Sequence, residues 1–177
     1  MPIAKPNLSQ SDVNVEIDLE KLLGSSAKNE AVREVFFQAA FDRMLERLDN
    51  GLDVNGKALP KYSKAYKGSL EYAAFGKDGT VNMQLTTEMV NSLKIKSDDI
   101  NKFKIGFDGE FNNTKAFAHM TGYKNHPILD GKVKPRNFFG WTDKELKSIA
   151  NEIKPQNDSS GSVSDSAVLK LLDKLLA

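Results

Sequence analysis

The chain has no cysteine. That absence excludes disulfides, a thiolate nucleophile and the usual structural zinc sites. Histidine is scarce too. His119 and His126 stand seven positions apart, with Gly122 and Pro127 beside them, a spacing that does not bring two imidazoles onto one helix face to hold a metal. No apolar run approaches the roughly 20 residues that cross a bilayer. The opening "MPIAKPNLSQSDVN" has no apolar centre of the kind a secretion signal needs, so a cytosolic protein without membrane contact is expected. Charge of one sign is lacking as well: the formal net charge of +1 argues against a surface that is wholly a nucleic-acid footprint, while leaving room for local patches. "GKDGT" at 76–80 lacks the spacing of a phosphate loop, and there is no nucleophile elbow. Asp98, Asp99, Asp108 and Glu110 read as solvated turn residues at strand ends, with nothing nearby to raise a carboxyl pKa. The expectation is a protein that is not an enzyme and carries no metal or cofactor.

What is present suits one α+β domain, since 177 residues suffice for a single core of ordinary size. Residues 1–12 read as a flexible N-terminal arm. "VNVEIDL" then alternates Val13, Val15, Ile17 and Leu19, the pattern of a strand with one buried face. From about Ala27 to Leu48 the chain is rich in helix formers and free of Gly and Pro, so a long helix is predicted, ended by "DNG" at 49–51. At 100° per residue, Phe37, Phe41, Met44, Leu45 and Leu48 share one stripe. Val32, Val35, Phe36, Ala39 and Ala40 lie nearly opposite, so the helix must be covered on two sides, either by its own domain or by a second subunit. A Gly- and Lys-rich connection follows, expected to be mobile over much of its length, with a short helix between Lys61 and Phe75. Alternating residues at Val81, Met83 and Leu85, at Leu93–Lys96 and at Phe103, Ile105 and Phe107 predict adjacent antiparallel strands, and 113–120 reads as a short helix. The predicted architecture is a long N-terminal helix and shorter helices packed on a mostly antiparallel sheet over 13–153, a linker at 154–164, and a tethered amphipathic helix at 165–177.

The most patterned stretch is "KVKPRNFFGWTDKELKSI", from Lys132 to Ile149. Thr142 can cap a helix, Glu145 three residues on can complete a capping box, and Trp141 can staple onto Leu146. Pro135 favours extended geometry before it, Gly140 permits a sharp reversal, and Phe138 and Phe139 can pin the turn to the sheet. Phe138 to Thr142, with Glu145, therefore read as an architectural joint. Arg136, Lys124, Lys132 and Lys134 form a local positive cluster opposed only by Asp130, and Lys61, Lys64 and Lys67 interleave with tyrosines in a second basic loop suited to phosphates or an acidic surface. His119, at a predicted helix end, reads as a hydrogen-bonded structural histidine.

Four pieces, in order, resemble the phage virion morphogenesis family, the tail-completion proteins of long-tailed phages and prophages. They are "NGKALPKYSKAYK", "LTTEMVNSLKI", "FAHMTG" and "KPRNFFGWTDKELKSIANEI", and the likeness spans roughly Val13 to Ile153. Thr87, Met120 and Asn137 stand where the family usually has Gly, Gln and a second Pro. The resemblance implies a structural virion protein of the tail and neck, assembled in the host cytoplasm. Such a protein forms a homo-oligomeric ring, by the symmetry of such tails a hexamer, at the head-proximal end. It would act as a tail terminator, stopping tube polymerisation, and serve head–tail joining. Its partners would be itself, the tail tube protein, the head connector or stopper and the sheath, with DNA passing through its lumen without sequence-specific binding.

Two surfaces are candidate subunit or partner interfaces. One is the second lobe of the long helix, Val32, Val35, Phe36, Ala39 and Ala40. The other is the apolar side of the last helix, where Val168, Leu169, Leu172, Leu175 and Leu176 fall within one arc opposite Lys170, Asp173 and Lys174. The alternative expectation is a small DNA-binding or regulatory module using the basic 115–136 region, whose affinity would fall steeply with salt.

Overall fold

The structure is a computed structural model that describes residues 3–62, 64–74, 81, 88–99, 102–124 and 132–153. Strands β1 (Ala4–Leu8), β2 (Val13–Ile17), β3 (Leu93–Asp99) and β4 (Lys102–Phe107) form one sheet in the order β1-β2-β4-β3, every neighbouring pair antiparallel. Helices α1 (Leu19–Leu23), α2 (Glu30–Asp49), α3 (Lys64–Lys67), α4 (Leu70–Ala74), α5 (Glu88–Asn91), α6 (Glu110–Thr121) and α7 (Asp143–Ile153) complete the α+β architecture, with a 3₁₀ turn at Gly24–Lys28 between α1 and α2.

Period-two patterning decides which face of the sheet is buried. Val13, Val15 and Ile17 on β2 pair in register with β4, whose Phe103, Ile105 and Phe107 point the same way, and all six are buried. Against them pack Leu19 and Leu22 of α1, Phe36, Ala40, Met44 and Leu48 of α2, Ala116 of α6, and Leu146 and Ile149 of α7 in one continuous core. Each such aliphatic or aromatic side chain contributes about 1.5–3 kcal/mol by leaving water. Local signals start the helices: Asp18 accepts from Lys21 N at 3.1 Å to cap α1, and Asn29 accepts from Ala31 N at 3.0 Å to cap α2.

Several expectations change. Residues 4–8 are not a flexible arm but the edge strand β1, recruited by antiparallel pairing with β2 and by Asp143, whose Oδ1 accepts from Ile3 N at 3.0 Å. Leu19 leaves the strand and opens α1, because the Asp18 cap turns the chain. The connection after α2 is ordered at its start: Leu52 bridges Ala58, and Asp53 Oδ1 accepts from both Asn55 N and Lys57 N at 2.8 Å, an Asx turn. The helix expected between Lys61 and Phe75 is two short helices, α3 and α4, interrupted at Gly68 and Ser69. Asp98 and Asp99 belong to β3 rather than to a turn. The strand expected at 81–85 lies outside the described residues apart from Val81, which is buried; the 154–164 linker and the 165–177 helix also lie outside them.

Both sheet edges are blunted. β1, an outer strand, carries Pro6, which has no N–H to offer an incoming strand, and β3, the other outer strand, shifts register between Ile95 and Ser97.

Gly122 ends α6 in the left-handed conformation, with φ +72°, and a Cβ there would lie 2.5 Å from the Val133 carbonyl oxygen and 2.9 Å from Pro135 Cδ. Gly24, at φ +59°, has open space around it. Both would suffer the backbone cost of a side chain at positive φ, about 1 kcal/mol, but only Gly122 adds a clash of about 1–3 kcal/mol. Urea unfolding is expected to show Gly122→Ala losing about 2–4 kcal/mol against about 1 kcal/mol for Gly24→Ala; equal losses would mean that the chain at 133–135 yields freely.

Candidate functional site: the joint and the surfaces around it

The joint is held from the side opposite to its own helix. Arg47, near the end of α2 and only 8% exposed, donates through Nη1 to both Glu145 carboxylate oxygens, at 2.7 and 2.9 Å, and through Nη2 to the Gly140 carbonyl at 2.7 Å. The Gly140 backbone, at φ +116°, is in a region that favours glycine. Trp141 Nε1 donates to the Ala40 carbonyl at 2.7 Å, a second tie from the joint to α2. Thr142 caps α7 as expected, its Oγ1 accepting from Glu145 N at 3.2 Å. The Glu145 side chain, expected to return to the cap, is instead claimed by Arg47, because a buried guanidinium needs a counter-charge. Phe138, Phe139 and Trp141 are buried in the core, with Phe139 4.8 Å from the Phe107 ring centroid.

Arg136 forms a second node. Expected on a basic contact loop, it is 6% exposed and turned inward. Its main-chain N–H donates to the His119 carbonyl at 2.9 Å, satisfying one of the unpaired carbonyls at the end of α6. Its guanidinium lies 3.3 Å from His119 Nδ1 and from the Pro60 carbonyl, and 5.5 Å over the Tyr62 ring. Because a guanidinium can only donate, Nδ1 must accept, and the His119 proton sits on Nε2. Burial first, then the charges of Arg136 and Lys115, pull the His119 pKa down to about 4, so the ring is neutral near pH 7. The adjoining Asn137 carbonyl accepts from Val54 N at 2.8 Å. Residues 54–62, 119 and 135–138 thus converge on one place.

The apolar interface expected on α2 is not available: Val32, Val35, Phe36 and Ala40 are buried in the domain's own core, and Ala39 packs against it. Both lobes are covered intramolecularly, by the 3₁₀ turn at Gly24–Lys28, the sheet and α7. Val168, Leu169, Leu172, Leu175 and Leu176 lie outside the described residues, as does His126. Lys61, Lys64, Lys67, Lys124, Lys132 and Lys134 are exposed as expected. Arg136 draws the two basic stretches together, since Lys61 follows the Pro60 it binds and Lys134 precedes it by two residues.

Arg47, Arg33 and Asn113 escaped the sequence reading. Arg33 donates to the Ala27 and Lys28 carbonyls at 3.0 and 3.3 Å, closing the 3₁₀ turn. Asn113 accepts from Val13 N at 2.8 Å and donates to the Phe107 carbonyl at 3.0 Å, joining α6 to two strands. The one available signal was that Arg33 and Arg47 project, at 100° per residue, into the arc occupied by Phe36 and Ala40. Among the described residues no cluster of His, Asp and Glu could hold a metal, and no helix is long and apolar enough to cross a membrane. No protein-family model, curated protein or solved structure matches this chain.

Two outcomes follow from the nodes. Glu145→Ala strands the Arg47 charge in the interior and is expected to cost about 3–5 kcal/mol in denaturant unfolding, whereas the apolar pair Arg47→Met with Glu145→Leu costs clearly less. Equal losses would make the contact mere packing. For His119, the folded pKa lies below the unfolded value of 6.5, so the unfolded chain binds the extra proton and stability falls as pH drops from about 6.5 towards 4, by about 3 kcal/mol in total. His119→Gln is expected to flatten the stability profile in that window; an unchanged slope would place the acid sensitivity elsewhere.

Proposed function

We propose that this chain is a structural virion protein of a tailed phage, forming a ring at the head-proximal end of the tail, where it terminates tube polymerisation and joins the tail to the head connector. One observation carries the reading: three of the four sequence pieces that resemble the virion morphogenesis family, in the 54–62 loop, at the end of α6 and at 135–145, meet at Arg136 and in the adjoining Arg47 joint. Their distinctive residues hold shape. A protein whose function is to present a fixed surface needs that use of its conspicuous side chains, and the α+β architecture of a long helix on an antiparallel sheet supports it. The DNA-binding alternative loses its arginine to the interior, although the exposed lysines around it remain.

The test is the mass of the purified protein in solution across a concentration range, alone and with tail tube protein. The expected result is a ring-sized species, or one that appears only with tubes and caps their ends in electron micrographs. A persistent monomer that ignores tubes and binds DNA with a steep salt dependence would overturn it.

A further inference from the structure

The lysines of this chain differ in whether anything answers them. On α1 and the sheet, Lys21 pairs with Asp18, Lys94 with Asp108, and Lys96 and Lys104 with Asp12. Around the Arg136 node they are left to solvent. Lys61, Lys64, Lys67, Lys124, Lys132 and Lys134 are exposed, and none makes an ion pair among the described residues.

The fold gathers these lysines. Lys61 follows Pro60, whose carbonyl accepts from the Arg136 guanidinium at 3.3 Å, and Lys134 stands two residues before that arginine. Lys132 and Lys124 flank the approach of Val133 to Gly122, where a Cβ on the glycine would lie 2.5 Å from the Val133 carbonyl oxygen. Lys64 and Lys67 are three positions apart on α3 and so share one side of it. Segments 54–75 and 111–142, which hold all six, carry eight lysines against two carboxylates, Glu71 and Asp130, in a chain whose net charge is +1. Like charges brought together repel, so folding gives no reason for this concentration.

The chemistry favours the phosphate backbone of duplex DNA over an acidic protein or unpaired bases. Protein interfaces are depleted of lysine and enriched in arginine. Each arginine of this chain is spent within the protein: Arg33 on the Ala27 and Lys28 carbonyls, Arg43 on Glu152, Arg47 on Glu145 and the Gly140 carbonyl, Arg136 on Pro60 and His119. No guanidinium remains for bidentate reading of guanine. Stacking on single strands needs a bare aromatic face. One face of Tyr62 lies under Arg136 and its ring meets Tyr72 edge-on at 5.9 Å, while Tyr123 meets His119 edge-on at 5.4 Å. What the surface offers is flexible point charges, which hold phosphates and carry no sequence information. We infer that this lysine surface binds the backbone of double-stranded DNA without regard to sequence.

The experiment follows the anisotropy of two labelled duplexes of unrelated sequence as the full chain is added, over a range of salt concentrations. Three forms are compared: wild type, Lys61→Gln with Lys124→Gln and Lys134→Gln, and, as a control of equal charge change, Lys5→Gln with Lys28→Gln and Lys147→Gln. All six positions are exposed, and circular dichroism verifies folding. Wild type is expected to bind both duplexes equally and to weaken steeply as salt rises. The first variant is expected to bind about tenfold more weakly or worse, with a salt slope shallower by about one for each lysine removed, and the control to bind like wild type. Absence of wild-type binding at low salt, equal weakening by both variants, or preference for one duplex or for single strands overturns the assignment. Displacement of duplex by poly-glutamate as readily as by unlabelled duplex overturns it in favour of an acidic protein partner. The ring reading stands or falls separately: a monomer that binds duplex through these lysines sustains this inference and overturns the ring, and a ring that caps tubes yet ignores DNA does the reverse.

Discussion

One buried charge organises this domain. Arg47 has left water almost completely, and an unpaired guanidinium in that position would cost several kcal/mol. Its requirement is met from residues 93 and 98 positions along the chain, the Gly140 carbonyl and the Glu145 carboxylate. Nε has no partner among the described residues, so the match is close but incomplete. The consequence is directional. Hydrophobic contact between α2 and α7 would tolerate sliding, whereas a guanidinium holding both a backbone carbonyl and a carboxylate admits one register. The chain reversal at Gly140 is placed from outside, and Trp141, bonded to the Ala40 carbonyl, holds α2 at a second point two turns away.

Arg136 does for the far side of the joint what Arg47 does for the near side, with a different currency. A main-chain carbonyl, a neutral imidazole and a tyrosine face receive its guanidinium. Donor count makes the neutral histidine necessary, and burial makes it affordable. Together the two arginines link the end of α2 and the 54–62 loop that follows it to the end of α6 and the start of α7, which lie much further along the chain. A domain built this way has its conspicuous residues inside and its surface left to simpler charge patterns.

That division explains what could be read in advance. Period-two alternation on β2 and β4 and the long helix α2 were legible because neighbours within a few residues dictate them. The Thr142 cap was legible for the same reason. The fate of Glu145 was not, since local rules sent it to the cap and only the fold brings Arg47 within reach. Arg136 was misplaced on the surface because arginine in a Lys-rich loop is usually solvated, and nothing local announces a histidine and a tyrosine waiting to receive it. The second apolar lobe of α2 was correctly seen as needing cover, yet the sequence alone left open whether that cover came from its own domain or another chain. Residues 4–8, with Lys5, Pro6 and Asn7, lack strand propensity, and their pairing is imposed by β2 and Asp143.

The surface follows from the same economy of means. Alternation that buries Phe103, Ile105 and Phe107 in the core turns Lys104 to the other face, and pairing in register brings Lys5 and Glu16 alongside it. Likewise, a helix that buries Phe36, Ala40 and Met44 must display Glu34, Asp42 and Glu46. On the sheet face Lys96 and Lys104 are both answered locally by Asp12. Such contacts are screened by salt and individually weak, worth about 0–1 kcal/mol each.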